Sequence, residues 1–85
     1  METRSLGRSG LKVSAISYGN WGGGNPTRIE RLEYLTQVAI DYGITTFDTA
    51  DSYGPQVAER WLGNALKAVR RGSVVICTKV YFPSL

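Results

Sequence analysis

Two amphipathic helical patterns, each ended by a glycine and followed by a short β-rich segment, constrain the fold of this chain more than any other feature. Apolar residues recur at three- and four-residue steps over residues 29–42 and 58–69, and the patterns stop at Gly43 and Gly72. β-branched residues dominate the segments that follow each glycine. This strand–helix–strand order forms right-handed crossovers in a parallel sheet, so we predict an α/β fold.

The whole chain is predicted to form one series of elements. Residues 1–14 contain two short segments around a glycine-bearing loop and are expected to form a β-hairpin. A strand, helix, strand, helix, strand series follows over residues 15–80, with strands expected at 15–18, 44–47 and 73–80. An open doubly wound sheet and part of a (β/α)8 barrel both fit this order.

The glycine-rich segment Gly19–Pro26 follows the first strand of this series. It lacks the third glycine of the G-x-G-x-x-G dinucleotide fingerprint, and Pro26 interrupts the turn. Thr27 and Glu30 have the spacing of a capping box at the start of the first helix. A flexible loop that leads to a helix cap is therefore the simpler interpretation of this segment.

The distribution of charge limits the classes of partner. Ten Lys and Arg residues against seven Asp and Glu give a formal charge of +3. The basic residues are dispersed and not interleaved with aromatic ones, so no nucleic-acid interface is predicted. We expect Lys67, Arg70 and Arg71 in the last turn of the second helix, where cations complement the helix dipole.

The remaining compositional features predict a cytoplasmic protein. Cys77 is the only cysteine, which excludes an internal disulfide, and its apolar neighbours predict a buried strand residue. No segment approaches the roughly 18 apolar residues of a membrane span, and the residues after Met1 do not form a secretory signal. We predict no membrane association and no metal site.

Asp48, Tyr53 and Lys79 are the candidate catalytic residues. Asp48 ends one predicted strand, Tyr53 follows it by five residues, and Lys79 ends the next strand. Because parallel strands place their carboxyl ends side by side, we expect these side chains in one cleft. Taken singly, Asp48 is equally well a strand-end cap, Tyr53 a packing residue and Lys79 a solvated end.

Together, the three side chains indicate carbonyl chemistry. Reduction of an aldehyde or ketone needs a proton for the developing alkoxide, and an isolated tyrosine with a pKa near 10 is a poor donor at neutral pH. In this hypothesis, the Lys79 ammonium makes Tyr53 a better acid, and the Asp48 carboxylate keeps the ammonium charged and oriented.

Several segments carry a family resemblance over essentially the whole chain. They are Leu6–Ser14, Gly19–Trp21, Gly43–Gly54, Ala58–Gly63 and Thr78–Lys79. These segments resemble the N-terminal third of the aldo-keto reductases, and are most similar to the branch that contains bacterial reductases and the β subunits of voltage-gated potassium channels. The Phe-Asp-Thr-Ala segment with a tyrosine five residues after its aspartate is the most specific of these signals.

The resemblance implies the N-terminal part of a (β/α)8 TIM barrel, whose floor the hairpin plugs, over residues 1–85. It implies NADPH (NADP⁺) as the cofactor, bound without a Rossmann fingerprint. It also assigns Asp48, Tyr53 and Lys79 to three positions of the family's catalytic tetrad, with Tyr53 as the general acid. Asn20 and Trp21, together with Asp48, match positions that contact the cofactor in similar proteins.

The implied activity is NAD(P)H-dependent reduction of aldehydes or ketones to alcohols. The fourth tetrad position lies on the strand after the last one here, and the chain has no histidine. We therefore expect the 85-residue chain to be inactive alone. A cofactor-sensing or interaction protein with a regulatory role, or a truncated non-catalytic fragment, are the alternatives. Exposed sheet edges also predict self-association.

Overall fold

The computed structural model describes residues 1–21, 29–53 and 57–80 of the chain. Its elements, in chain order, are β1 (Thr3–Ser5), β2 (Lys12–Ser14), β3 (Tyr18–Gly19), α1 (Ile29–Asp41), β4 (Thr46–Asp48), α2 (Ala58–Ala65), a 3₁₀ turn (Arg71–Ser73) and β5 (Val75–Cys77). β1 and β2 pair antiparallel, and a second sheet has the parallel order β3-β4-β5. The α/β class is confirmed, whereas these described strands do not form a closed barrel.

Helix α1 ends in a glycine cap, as its sequence pattern predicts. Gly43 has φ +88°, and the N–H groups of Gly43 and Ile44 donate to the carbonyls of Ile40 and Ala39, the two bonds of a Schellman motif. Tyr42, predicted on the apolar face, is exposed because it lies at this cap beyond the last full turn. Gly19, the first residue of the predicted glycine loop, belongs to β3, whereas residues 22–26 of that loop, Thr27 and the side chain of Glu30 lie outside what the structure describes.

Helix α2 is shorter than its apolar pattern. It ends at Ala65, and i→i−3 hydrogen bonds from Lys67 to Asn64 and from Val69 to Leu66 tighten the chain after it. Leu66, in the turn after α2, is buried like the apolar residues of the helix, although the helix itself has ended. The placement of Lys67, Arg70 and Arg71 in the last helical turn was therefore wrong.

The core lies between the parallel sheet and the two helices. Phe47 is fully buried at its centre, and the ring of Tyr18 on the neighbouring strand meets it edge to face, with centroids 6.5 Å apart. The remaining buried core members come from the two helices, the turn after α2 and the residue before β5: Ala39, Leu62, Leu66 and Val74. This packing orients the sheet so that one face is covered by helices.

The strands are shorter than predicted, for local reasons. The N–H of Ala15 donates to the Glu2 carbonyl, so residue 15 extends the hairpin pairing and β3 begins only at Tyr18. The N–H of Ile44 belongs to the helix cap, so β4 begins at Thr46. β5 covers only Val75–Cys77, after the 3₁₀ turn, so Lys79 lies two residues beyond the strand that it was predicted to end.

The opposite face of the sheet carries Thr46, Asp48, Val75 and Cys77. Alternation along the strands sets these residues against the helix-facing Phe47, and the register pairs Asp48 with Cys77. Cys77 is exposed, which corrects the expectation that it is buried. The apolar neighbours of Cys77 predicted a buried strand residue, but the described residues leave Cys77 itself exposed.

The hairpin is joined to the sheet through Ser14, which is buried. The Ser14 N–H donates to Oγ1 of Thr46 over 3.0 Å, and the Thr45 N–H donates to Oγ of Ser14 over 3.1 Å. Both bonds lie at the amino end of β4. The hairpin therefore contacts the end of the sheet opposite to Asp48.

Candidate functional site

Backbone hydrogen bonds continue the parallel register beyond the carboxyl ends of the strands. The N–H of Asn20 donates to Asp48 O over 3.2 Å, that of Thr49 to Cys77 O over 2.8 Å, and that of Asp51 to Lys79 O over 3.1 Å. These bonds bring the segments after β3, β4 and β5 to one edge of the sheet. Ligand sites of parallel α/β folds lie at this edge.

Lys79 and Asp48 form an ion pair at this edge. The Lys79 Nζ lies 2.8 Å from Oδ1 of Asp48 and donates a second hydrogen bond, also 2.8 Å, to the carbonyl of Thr49. The two side chains keep 43% and 40% of their surface exposed. The pair is therefore geometrically defined and still open to a ligand.

Tyr53 lies against the same ammonium group. The Lys79 Nζ is 5.0 Å from the centroid of the Tyr53 ring, within the range of a cation–π contact. The backbone of Tyr53 is held at the start of α2, because its carbonyl accepts hydrogen bonds from the N–H groups of Val57 and Ala58. The three predicted catalytic residues are thus brought together.

The surroundings of Lys79 favour its charged form. Its hydrogen bond to Asp48 raises the pKa of Lys79 above the ordinary lysine value, partial desolvation opposes this, and Tyr53 adds a smaller favourable contribution. The side chain is therefore a fixed cation at neutral pH, suited to stabilising negative charge beside it.

Asn20 has a different environment from the ion pair. Its side chain is buried on the helix side of the sheet, and its Nδ2 donates to the Ala58 carbonyl over 3.1 Å. Its Oδ1 is buried and has no hydrogen-bond donor among the described residues. The adjacent Trp21 is 58% exposed at the same edge. Asn20 and Trp21 thus lie at the same edge of the sheet as the ion pair. Among the described residues, neither side chain forms a hydrogen bond to the pair.

Asn20 and Trp21 were predicted to contact the cofactor, and the structure places them in different surroundings. Oδ1 of Asn20 is an acceptor with no donor among the described residues, and it is buried on the helix side of the sheet. The exposed indole of Trp21 offers an apolar surface. These two residues, with Asp48 on the neighbouring strand, are the candidates for holding the cofactor.

Two features of the site were not predicted from the sequence. One is the Thr49 carbonyl, the second acceptor for Lys79, which is a main-chain atom with no sequence signal. The other is a hydrogen bond from Oγ1 of Thr78 to Oε2 of Glu59, on α2. The only sequence feature that pointed to the hydrogen bond of Thr78 was the position of this threonine directly before the candidate Lys79.

A separate cleft of about 550 Å³ lies at the other end of the sheet. Lys12 of the hairpin, Thr45 and Arg71 are among the residues that line it. Asp48, Tyr53 and Lys79 are not among them, so this cleft is not the candidate active site. Among residues 1–21, 29–53 and 57–80 there is no cluster of potential metal ligands, and no helix there is long and apolar enough to cross a membrane.

The described fold is of the α/β class, with a parallel sheet. The lysine–aspartate pair and the tyrosine at the carboxyl edge of this sheet form a candidate active site for proton transfer. Comparison with known proteins identifies the family. Residues 15–84 match the model of the aldo/keto reductase family. The chain belongs to this family.

Similar proteins of known sequence include β subunits of potassium channels. A protein of Arabidopsis thaliana, described as a voltage-gated potassium channel subunit beta, is 36% identical over 96% of this chain and 26% of its own length. One of Schizosaccharomyces pombe, with a similar description, is 45% identical over 93% of this chain and 24% of its own length. The chain thus spans about a quarter of these relatives.

Solved structures of similar fold include aldo-keto reductases. A thermostable aldo-keto reductase in complex with the inhibitor epalrestat matches with a TM-score of 0.82 and 36% identity, over 94% of this chain and 31% of that one. A Pseudomonas aeruginosa protein described as an aldo-keto reductase matches with a TM-score of 0.75 and 35% identity, over 92% of this chain and 30% of that one.

Proposed function

We propose that the site formed by Asp48, Tyr53 and Lys79 belongs to an NAD(P)H-dependent reductase that converts aldehydes or ketones to alcohols. The observation that carries this proposal is the position of the Lys79 ammonium, 2.8 Å from Asp48 and 5.0 Å from the Tyr53 ring centroid. Family membership supports an oxidoreductase, and the geometry supports the assignment of roles. Asn20 and Trp21, with Asp48, are proposed to hold the nicotinamide end of NADPH.

Each side chain has one role in the proposed reaction. NADPH, when bound, supplies the hydride that reaches the carbonyl carbon. Tyr53 donates the proton of its hydroxyl to the carbonyl oxygen, so the product is an alcohol and the tyrosine is left as a phenolate. Lys79 stabilises that negative charge, and Asp48 keeps the ammonium charged and oriented.

The 85-residue chain alone is proposed to have negligible turnover. A barrel of this kind uses about 250 residues, and an extended dinucleotide needs more contacts than one edge of three short strands provides. The residues that complete the fold and the cofactor site are proposed to come from further polypeptide. The edge strands β3 and β5 are also proposed to mediate self-association.

The test uses a chimera in which this chain replaces the matching part of the thermostable aldo-keto reductase. Carbonyl-dependent NADPH oxidation is measured for the chimera, for Tyr53→Phe, and for Tyr42→Phe, a control at an exposed tyrosine. We expect Tyr53→Phe to reduce turnover about 10²- to 10⁴-fold and Tyr42→Phe to leave it unchanged. Equal turnover in the chimera and its Tyr53→Phe variant would contradict the role of Tyr53.

A regulatory function is the second candidate, because the similar sequences named above are channel β subunits. In this case the chimera would bind NADPH, measured by fluorescence titration, but Lys79→Met would change binding rather than turnover. A cytoplasmic location stays a prediction from the sequence.

A further inference from the structure

The first turn of α2 contacts all three segments that carry candidate site residues. The Ala58 carbonyl accepts a hydrogen bond from Asn20, which follows β3. The Ala58 N–H donates to the Tyr53 carbonyl, in the segment after β4. Glu59 accepts a hydrogen bond from Thr78, which follows β5. One helical turn is thus connected to every part of the site.

The bond between Glu59 and Thr78 has a specific consequence for Lys79. Side chains of consecutive residues in an extended segment point to opposite sides. A hydrogen bond that holds Thr78 on the helix side therefore directs Lys79 to the other side, where its Nζ meets Asp48. A hydroxyl bonded to a carboxylate is a strong, directional contact.

No other side-chain contact in the described residues fixes this orientation at Thr78. Lys79 itself is held by the bonds of its Nζ to Asp48 and to the Thr49 carbonyl, and by one main-chain bond, from the Asp51 N–H to the Lys79 carbonyl. That bond places the backbone of Lys79 but leaves its χ angles free. The segment lies beyond Cys77, the last residue of β5, and among the described residues this bond, which continues the parallel register, is its only main-chain link to the neighbouring segment.

We propose that Glu59 is a positioning residue that acts through Thr78 to hold the Lys79 side chain against Asp48 and Tyr53. This inference rests on the proposed function only for its effect on turnover. The structural part concerns residues of this chain alone and is testable without cofactor.

Glu59 also lies in the first turn of α2, where any acidic residue stabilises the helix dipole. A test must separate that purely structural role from positioning. Thr78 is outside the helix, so Thr78→Val removes the hydroxyl at similar volume without changing the helix. Thr78→Ser keeps the hydroxyl, and Glu59→Gln keeps an acceptor oxygen while removing the charge.

The first readout is the titration of Lys79 followed by NMR of the chain with ¹³C-labelled lysine. The chain has three lysines, and the resonances of Lys12 and Lys67 serve as internal controls. We expect Thr78→Val and Glu59→Ala to shift the Lys79 midpoint down toward the ordinary value, and Thr78→Ser and Glu59→Gln to preserve it. An unchanged Lys79 midpoint in both Thr78→Val and Glu59→Ala would overturn the proposal.

The second readout is turnover of the chimera described above. We expect Thr78→Val to lower kcat by about 10- to 100-fold, as for a catalytic group displaced by a fraction of an ångström to an ångström, with recovery in Thr78→Ser. A chimera that is inactive while the NMR response is present rejects the proposed function and keeps the positioning role. A chimera in which Thr78→Val and Thr78→Ser lose activity equally, with no NMR difference, rejects the positioning role.

Discussion

The Nζ of Lys79 lies 2.8 Å from Oδ1 of Asp48, although the two residues are 31 positions apart in the chain. The parallel pairing of β4 and β5 produces this contact, since it aligns Asp48 with Cys77 two residues before the lysine. We therefore expect Asp48→Asn to lower the pKa of Lys79 toward its ordinary value, because the largest favourable contribution is the bond to Asp48. Lysine NMR measures this directly.

Asp51→Asn is the matched control for this prediction. It makes the same charge change in the same segment, but the bond from Asp51 to Lys79 uses only the main chain. An equal fall of the Lys79 pKa in both variants would show that general charge, rather than the ion pair, sets it.

The same pair makes stability depend on pH at the alkaline end. Because the folded pKa of Lys79 is raised, its contribution to the free energy of unfolding is complete below the unfolded lysine pKa of about 10.4. The contribution is lost as the pH rises through the folded pKa. Urea unfolding of the parent chain and of Asp48→Asn should differ at neutral pH and converge at high pH. A constant difference would contradict this linkage.

Tyr18 predicts a second alkaline effect. Burial raises the pKa of Tyr18, so the unfolded chain releases this proton at lower pH than the folded one. Stability should therefore fall as the pH rises above about 10, the unfolded tyrosine value. Tyr18→Phe should remove that part of the loss, and Tyr42→Phe, at an exposed position, should not. Urea unfolding midpoints of the parent chain and of both variants, measured across this pH range, test this expectation.

Two glycines predict opposite effects of the same substitution. Gly43 has φ +88°, and a Cβ there would lie 2.9 Å from Cβ of Met1, so Gly43→Ala should cost about 1–2 kcal/mol or more. Gly63 lies within α2 with open space around it, so Gly63→Ala should stabilise by about 0.5–1 kcal/mol. Thermal and urea unfolding measure both. Equal signs for the two variants would contradict the assigned cap.

Phe47 is expected to be the most sensitive core position. Its side chain is fully buried, so Phe47→Ala should cost about 3–5 kcal/mol, a large part of the stability of a small domain. Ile16→Ala, at an exposed residue, should have little effect. If Phe47→Ala is unfolded without denaturant, Phe47→Leu gives the graded comparison. A Phe47→Ala variant as stable as Ile16→Ala would contradict the described core.

Periodicity and parallel pairing made the central features of the fold predictable. The apolar stripe of α2 identified Ala58 and Leu62 as buried, and the strand ends correctly brought Asp48 and Lys79 together. Both results follow from rules that depend only on spacing and chain direction.

The features that were not predicted from the sequence depend on contacts between residues that are distant in the chain. Leu66 is buried although it lies in a turn after α2. An apolar residue at this position therefore did not indicate that the helix ends at Ala65. Cys77 is left exposed by the described residues, whereas its apolar neighbours suggested burial. The bond between Thr78 and Glu59 joins polar residues 19 positions apart, which no local pattern encodes.

Ser14 ties the hairpin to the amino end of β4, and Lys79 meets Asp48 at the carboxyl end of the same strand. The hairpin anchor and the candidate site thus lie at opposite ends of one three-residue strand. Mutational drift in the hairpin can alter robustness to heat or denaturant with little change to the reacting groups. Selection on the hairpin junction and selection on the proposed site can therefore act at separate ends of the same strand, even in so short a sheet.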